Sequence, residues 1–253
     1  LFLVGTGLLL TTVVEVIVLQ GDIGRMNTVF KLYLQAWTFF AMSAGAALIW
    51  LLPEIKKWTL RWQNAWQLVG GLLLVSAMLF SVTATLDKMR DRVDIDAPMG
   101  LDGMAYMKSA PYWDGVEMDL SQDYAGIQWM RENIVGSPVI IEANTPEYRW
   151  GSRYTIYTGL PGVVGWNWHQ RQQRALNPTV VTDRVAEVGN FYNTIDLHET
   201  QLFLQKYNVR YIVVGQVEKQ YYTPEGLAKF TAYNGALWDE VFRDGETVIY
   251  AVR

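Results

Sequence analysis

The feature that most constrains this chain is a series of three apolar stretches within its first 86 residues. They comprise residues 1–20, 32–52 and 67–86. Each is about the length that an α-helix needs to cross a hydrocarbon core of about 30 Å. Because backbone polar groups in lipid must be hydrogen-bonded internally, we predict helices and not strands. The sequence therefore predicts a membrane region with three transmembrane helices over residues 1–86.

The rest of the chain has a different composition, which indicates a domain outside the membrane. Residues 1–86 contain five Lys and Arg and three acidic residues, whereas residues 87–253 contain 16 basic and 22 acidic residues. We interpret residues 87–120 as an irregular connector, because prolines and glycines are frequent in it, and residues 121–253 as a soluble α/β domain. The acidic excess and the lack of a basic face argue against nucleic-acid binding.

The order of patterns in this domain predicts a small sheet with helices on it. Residues 139–143 and 210–215 are short apolar runs typical of buried strands, and Pro224 can begin a helix. The Asp-Gly pair at 244–245 predicts a hairpin and hence an antiparallel edge of the sheet. We also predict a strand within residues 154–165.

Few residue types in the chain suit a metal or a cysteine nucleophile. There is no cysteine, and the histidines are His169 and His198. This excludes thiolate sites and disfavours a zinc site rich in histidine.

Polar residues near the first apolar stretch are the first candidate site. Glu15 lies about 8 Å inside the end of that stretch. An ionisable group there marks a functional site, reaches the headgroup layer, or pairs with a nearby cation such as Arg25 or Lys31. If the following segment begins a helix, the members of each pair, Asp22 with Arg25 and Asn27 with Lys31, share a face, and the two cations and Asn27 could face one spot. Such a cluster could hold a lipid phosphate, or it could be an ordinary polar helix start.

The second candidate site is the segment 142–174, which is rich in Arg, Trp and His. Tryptophan faces suit sugar rings, and Arg and His suit phosphate or hydroxyl groups. The alternative is that the Trp residues dock the domain onto the membrane and the Arg residues form surface ion pairs. No standard motif of soluble enzymes occurs in the chain.

Three runs resemble the YYY-domain family of large polytopic membrane proteins: EVIVLQGDIGRMNTVFKLYLQAW (15–37), RWGSRYTIYTGLPGVVGWNWHQRQQR (149–174) and RYIVVGQVEKQYY (210–222). That family is similar to the C-fold glycosyltransferases, which transfer a sugar from a polyprenyl-phosphate donor at the outer membrane face. The resemblance implies an integral membrane, glycosyltransferase-like protein of the plasma membrane with an extracytoplasmic C-terminal domain. We expect this chain to be a fragment of a longer protein, with further transmembrane helices or subunits, membrane lipids and the sugar donor as its partners.

The resemblance also assigns roles to residues. The candidate catalytic residues are Asp22, Glu15 and His169; the candidate substrate-binding residues are Arg25, Asn27, Lys31, Arg153, Trp166 and Arg174. Gln170 and Gln173 replace a Glu and a Trp of the family pattern, which puts the activity of this member in question. No cofactor is certain, and a divalent metal stays open, although the chain offers isolated carboxylates for it. The alternative function is a non-catalytic subunit or scaffold of a larger membrane complex.

Three spans would place the loop 21–31 and the C-terminal domain on the same side of the membrane. Charge counts near the membrane lean slightly toward a cytoplasmic domain, with five Lys and Arg on that side and three in the loop 53–66. The resemblance implies the opposite orientation. In either case we expect Arg153 or His169 to approach the first loop to roughly 10 Å, the scale of the interfacial layer.

Overall fold

The structure is a computed structural model that describes residues 1–19, 22, 24–93, 100–174, 176–177 and 179–253. The chain divides into two compact units, Leu1–Val93 and Asp94–Arg253. The last residue of the first apolar stretch, residues 21 and 23 of the first loop, and residues 94–99 of the predicted connector lie outside the described residues.

The first unit consists of three helices: α1 (Phe2–Val16), α2 (Met26–Ile55) and α3 (Leu60–Arg92). At 1.5 Å per residue, α2 and α3 are about 45 and 50 Å long, so each exceeds the thickness of the hydrocarbon core. Both are also apolar enough to cross a membrane. The prediction of membrane helices is therefore confirmed for the second and third apolar stretches.

Helix α1 is shorter than the predicted first span. Its 15 residues extend over about 22 Å, and the backbone becomes extended at Ile17. The apolar run at this point is β-branched, which weakens a helix, and the backbone N–H of Leu19 donates to Thr28 Oγ1 at 3.2 Å. A third span is thus not confirmed. Glu15 is the penultimate residue of α1 and does not lie several residues inside a longer helix.

Helix α1 packs against α2 through a close contact at Gly7. A Cβ atom built on Gly7 would lie 2.8 Å from the ring of Phe40, so a larger residue could not fit unless the ring moved. Val14 and Ala36 are buried in the same unit. Small residues allow helices to approach each other in this way. By contrast, no residue of α3 is buried in the described part of the chain.

The second unit is a soluble α/β domain. Its described elements are η1 (a 3-10 helix, Ala105–Lys108), β1 (Pro111–Trp113), β2 (Glu117–Asp119), α4 (Leu120–Asn133), β3 (Val139–Ile141), α5 (Arg153–Thr158), α6 (Asn167–Gln173), α7 (Thr179–Asn193), α8 (Leu197–Tyr207), β4 (Val209–Val214), α9 (Gln216–Tyr221), α10 (Pro224–Ala232), β5 (Trp238–Asp244) and β6 (Thr247–Val252).

Four strands form the main sheet in the order β3-β4-β6-β5. Strand β3 is parallel to β4, whereas β6 is antiparallel to both β4 and β5. Side chains alternate along β4, so Ile212 lies in one buried cluster and Val213 in another. The predicted α/β sheet with an antiparallel edge is confirmed, including the β5–β6 hairpin and the helix that begins at Pro224.

The predicted connector contains regular structure. Helix α3 continues through residues 87–92, Met104 and Met107 are buried in the domain core, and β1 and β2 pair as a hairpin. Buried methionines need a partner surface, which here includes Ile127 of α4. The folded domain therefore begins earlier than residue 121.

The strand predicted within residues 154–165 is wrong: residues 159–165 contribute a single bridge, from Gly162 to Ile140, and residues 153–158 form α5. Its sequence is rich in Thr, Ile and Tyr, which favour strands locally. The first turn of α5 is instead stabilised by the Glu142 carboxylate, which accepts hydrogen bonds from the backbone N–H groups of Tyr154 and Thr155 at 2.9 and 2.8 Å. A carboxylate at a helix N-terminus satisfies donors that the helix leaves unpaired.

Candidate functional site

Asp22 lies just before α2 and binds the beginning of that helix. Its carboxylate accepts hydrogen bonds from the backbone N–H groups of Asn27 and Thr28 at 3.1 and 2.7 Å, and from Thr28 Oγ1 at 2.6 Å. An acidic side chain is favoured here by the unpaired N–H groups and by the positive end of the helix dipole. Thr28 is buried, so this contact also fixes the loop between α1 and α2.

Glu15 forms an ion pair with Arg25 across the same loop. Arg25 Nη2 lies 2.9 Å from Glu15 Oε2, and the two side chains are 42% and 57% exposed. Pairing with a nearby cation was one of the alternatives that the sequence left open for Glu15. An exposed ion pair of this kind contributes about 0–1 kcal/mol, so it can open at little cost.

Asn27 and Lys31 both lie on the first turns of α2, four residues apart. Residues at this spacing share one face of a helix, as the sequence predicted. Lys31 is exposed, and Asn27 is partly exposed. Glu15, Asp22, Arg25, Asn27 and Lys31 thus all lie at or near the start of α2, at the end of two apolar helices; we call these five residues the α2 cluster.

In the domain, Arg153 occupies a buried cluster of charges. Its guanidinium is fully buried; Nε donates to Asp123 Oδ2 at 2.7 Å and Nη2 donates to Glu218 Oε2 at 2.9 Å. Nη1 donates to Glu218 Oε1 at 3.2 Å and lies 3.8 Å from Glu142 Oε2. We call Asp123, Glu142, Arg153 and Glu218 the Arg153 cluster.

Backbone groups complete the Arg153 cluster. The Glu218 carboxylate also accepts hydrogen bonds from the N–H groups of Ala143 and Gly215 at 2.7 and 2.8 Å. The cluster thus joins α4, α5 and α9 to the end of β3. This arrangement gives Arg153 a structural position, and its expected contact with substrate stays a prediction.

The pKa values of two groups in the Arg153 cluster, Glu142 and Arg153, are shifted from their ordinary values. Burial raises the pKa of the Glu142 carboxyl, although Arg153 and the hydrogen bonds from Thr155 act in the opposite direction. For Arg153, burial favours the neutral form, but the attraction of Asp123 and Glu218 outweighs it and holds the pKa of the guanidinium well above its ordinary value. The arginine therefore stays charged among its acidic neighbours.

The remaining predicted residues lie on or beside α6. Trp166 immediately precedes the helix, and its ring centroid lies 6.0 Å from that of His169, which is exposed. Arg174 follows the last residue of the helix and donates from Nη1 to Gln170 Oε1. The structure thus brings Trp166 and His169 together, whereas the Arg153 guanidinium is buried in its own cluster.

A shallow polar cleft lies beside the start of α6. Its interior has about 20 Å³ of space for water-sized groups, which is room for one or two water molecules. The backbone near the cleft is strained, with positive φ angles of 64° at Tyr148 and 56° at Ser152. Residues lining the cleft include Asn144, Glu147, Arg149, Trp166 and Asn167.

Sequence reasoning missed Glu218 and did not connect it with Arg153. The two residues are 65 positions apart, and no local pattern marks Glu218 as buried. The burial of a lone arginine requires an acidic partner, but the sequence does not show which one. Among the residues that the structure describes, no group of three or more His, Asp or Glu side chains could hold a metal ion.

Comparisons with known proteins place one part of the chain in context. Residues 1–40, which include α1 and the start of α2, match a family described as "Uncharacterized membrane protein (DUF2298)". No curated protein matches the chain. The C-terminal globular domain of oligosaccharyltransferase AfAglB-S2 from Archaeoglobus fulgidus is similar with a TM-score of 0.34 and 15% identity, covering 51% of this chain and 96% of that one. These values are too low to support an argument. With the family match and two helices long enough to cross a bilayer, the chain is an integral membrane protein.

Proposed function

We propose that this chain is part of a membrane glycosyltransferase-like protein that uses a polyprenyl-phosphate-linked sugar. The observation that carries the proposal is the α2 cluster, in which an exposed carboxylate is paired with an exposed arginine at the end of apolar helices. The cluster lies in the segment that matches a membrane protein family. The resemblance to the YYY-domain family supports the proposal further, and through it we propose a plasma-membrane location with an extracytoplasmic domain.

The α2 cluster contains the groups that an inverting transfer needs. Arg25 and Lys31 would bind the donor phosphate, and binding of the phosphate by Arg25 would release Glu15 from its ion pair. Glu15 would then accept the proton of an acceptor hydroxyl as the new bond to the sugar C1 forms. The bond between C1 and the phosphate oxygen breaks at the same time, and the phosphate leaves on the two cations.

Glu15 is a better candidate base than Asp22. The Asp22 carboxylate already accepts three hydrogen bonds at the start of α2, and protonation would weaken each of them. We therefore assign Asp22 a positioning role and Asn27 a place beside the donor. In the domain, His169, Trp166 and Arg174 are proposed to contact the acceptor, while Arg153 maintains the fold around them.

The test is sugar transfer by the protein in its native membranes, with a radiolabelled polyprenyl-phosphate sugar as donor. We expect Glu15→Gln to lower turnover by roughly 10²-fold or more, as for loss of a general base. We expect Arg25→Gln to raise the KM for the donor. Glu54→Gln is the matched control, because Glu54 forms an exposed ion pair with Lys57 at 2.6 Å near the other end of α2. Inversion at C1 is checked by NMR of the product.

Two results would overturn the proposal. Full turnover by Glu15→Gln would exclude Glu15 as the base. An absence of transfer by the unaltered protein in its own membranes would exclude the enzymatic function.

A second candidate function is a non-catalytic subunit or scaffold. The observation that favours it is α3, of which no residue is buried in the described structure although the helix is about 50 Å long. Its apolar surface is available to lipid or to further transmembrane helices. Copurification with stoichiometric membrane partners, together with unaltered assembly of the Glu15→Gln variant, would support this candidate.

A further inference from the structure

The tip of the β1–β2 hairpin carries an exposed tryptophan. The Asp94–Arg253 unit contains six tryptophans, all of them described, and Trp113 is the one that is exposed, at 68%. Val116, at the other side of the tip, is 44% exposed. A single exposed apolar residue is common on a protein surface, but here Trp113 and Val116 are exposed together at one turn.

Trp113 is exposed because of the register of the hairpin and not because the hairpin is loosely packed. Tyr112 packs against Trp150, with ring centroids 6.0 Å apart, and Met118 is buried. Side chains alternate along a strand, so Trp113 and its partner across the hairpin, Glu117, face outward. The inner face of the hairpin is thus packed against the domain, and the outward-facing Trp113 side chain can contact another surface.

Polar contacts hold the tip in this orientation. The Asp114 carboxylate accepts a hydrogen bond from Tyr221 Oη at 2.5 Å and pairs with Arg149 Nη1 at 3.1 Å. Gln220 Nε2 donates to the backbone oxygen of Asp114 at 3.1 Å. Gly115 makes the turn with a φ of 79°. Because the tip is fixed in advance, little conformational entropy is lost when it binds.

We propose that Trp113 and Val116 insert into the headgroup layer of the bilayer that the chain's own helices span. Tryptophan is enriched at the interface between lipid and water, where its ring is apolar and its N–H remains hydrated. Arg149, whose side chain is 49% exposed, lies beside the tip and suits a lipid phosphate.

The covalent connection keeps the domain near a bilayer. Eleven residues separate Arg92, the last residue of α3, from Met104, which is buried in the domain core. Fully extended, such a segment reaches roughly 40 Å. The inference requires a membrane and not sugar transfer, so it is independent of the proposed function.

The test uses the absence of cysteine, which permits a single label at any position. Trp113→Cys and Val116→Cys are each labelled with the fluorophore NBD in the full chain, reconstituted into phosphatidylcholine and phosphatidylglycerol vesicles. Val135→Cys and Ile195→Cys are the controls, because both positions are exposed apolar residues in the same domain. Quenching by spin-labelled lipids reports contact with the bilayer, and quenching by iodide reports contact with water.

We expect the labels at positions 113 and 116 to be quenched by spin-labelled lipid at least threefold more than those at positions 135 and 195. Their emission should also shift to the blue. Equal lipid quenching at all four positions would overturn the proposal. Protection from iodide without lipid quenching would also overturn it, since it would indicate a protein partner on the tip.

Discussion

Replacing Arg153 by methionine should destabilise the domain severely. Methionine retains much of the side-chain volume but removes the cation that faces the Arg153 cluster. Three N–H donors within 3.2 Å of Asp123 and Glu218 are lost, and these carboxylates remain buried. Breaking a buried ion pair on one side costs about 3–5 kcal/mol. Since domains unfold at about 5–15 kcal/mol in total, this change removes a large share of the stability.

The loss should depend on pH in a defined direction. Burial already raises the pKa of Glu142, and without Arg153 that pKa would rise further. The folded chain would then bind more protons than the unfolded chain above about pH 4, where free carboxyls titrate. Stability of the Arg153→Met variant should therefore fall as the pH rises above that range, so that its stability differs from that of wild type less at acidic pH than at neutral pH.

The assay is hydrogen exchange with mass spectrometry on the whole chain in detergent, read on peptides from β4 and β6. These strands lie in the middle of the sheet, so their exchange reports opening of the domain and not of the membrane helices. Arg171→Met is the matched control, because Arg171 pairs with Glu147 at 2.6 Å at a partly exposed position and should contribute at most about 1 kcal/mol. Equal protection in Arg153→Met and wild type, or lost sugar transfer without lost protection, would refute the structural role of Arg153.

Three further predictions test other parts of the molecule. Burial lowers the pKa of Lys229 to about 8, whereas a lysine in the unfolded chain titrates near 10.4. Because the unfolded chain binds more protons between these values, the free energy of unfolding should rise by roughly 2 kcal/mol from pH 8 to pH 10. Urea unfolding by pulse proteolysis should show this rise in wild type and not in Lys229→Met. Gly7→Val should lower the melting temperature in detergent and destabilise the fold by about 1–3 kcal/mol, because the new methyl groups meet the Phe40 ring. Adding Phe40→Ala to this variant should restore part of the lost stability, and an absence of recovery would contradict the packing of Gly7 against Phe40. If α2 and α3 both span the bilayer, single cysteines at Met26 and Val135 should react with an impermeant reagent from the same side, and opposite sides would exclude this topology.

The elements that the sequence predicted well are those with a strong local pattern. A long apolar run predicted the helices of the second and third apolar stretches, and a short apolar run predicted the strand at residues 209–214. An Asp-Gly pair, which is typical of tight turns between strands, predicted the β5–β6 hairpin. Helix α5 was missed because its stabilising contact is not local. The Glu142 carboxylate accepts hydrogen bonds from the backbone N–H groups of Tyr154 and Thr155 in the first turn of α5. Glu142 precedes these residues by 12 and 13 positions.

The length of α1 was also overestimated from the sequence. The apolar character continues past Val16, but hydropathy does not distinguish a helix from an extended segment that returns toward the next helix. What ends α1 is the contact of Leu19 with Thr28, together with the binding of Asp22 to the start of α2. These contacts form only when the loop brings the end of α1 back to the start of α2. A hydropathy average over neighbouring residues cannot predict such contacts.

The energetic cost of opening an ion pair separates the two candidate sites. The sequence treated arginines near tryptophans as substrate contacts, yet Arg153 is fully buried among carboxylates, and opening such a cluster at every turnover would cost several kcal/mol. The Glu15 and Arg25 side chains are 57% and 42% exposed, so their ion pair opens more easily than the Arg153 cluster. A group that exchanges one partner for a substrate phosphate needs a partner that it can release. The α2 cluster meets this condition for the proposed transfer, while the charges of the Arg153 cluster hold the domain together.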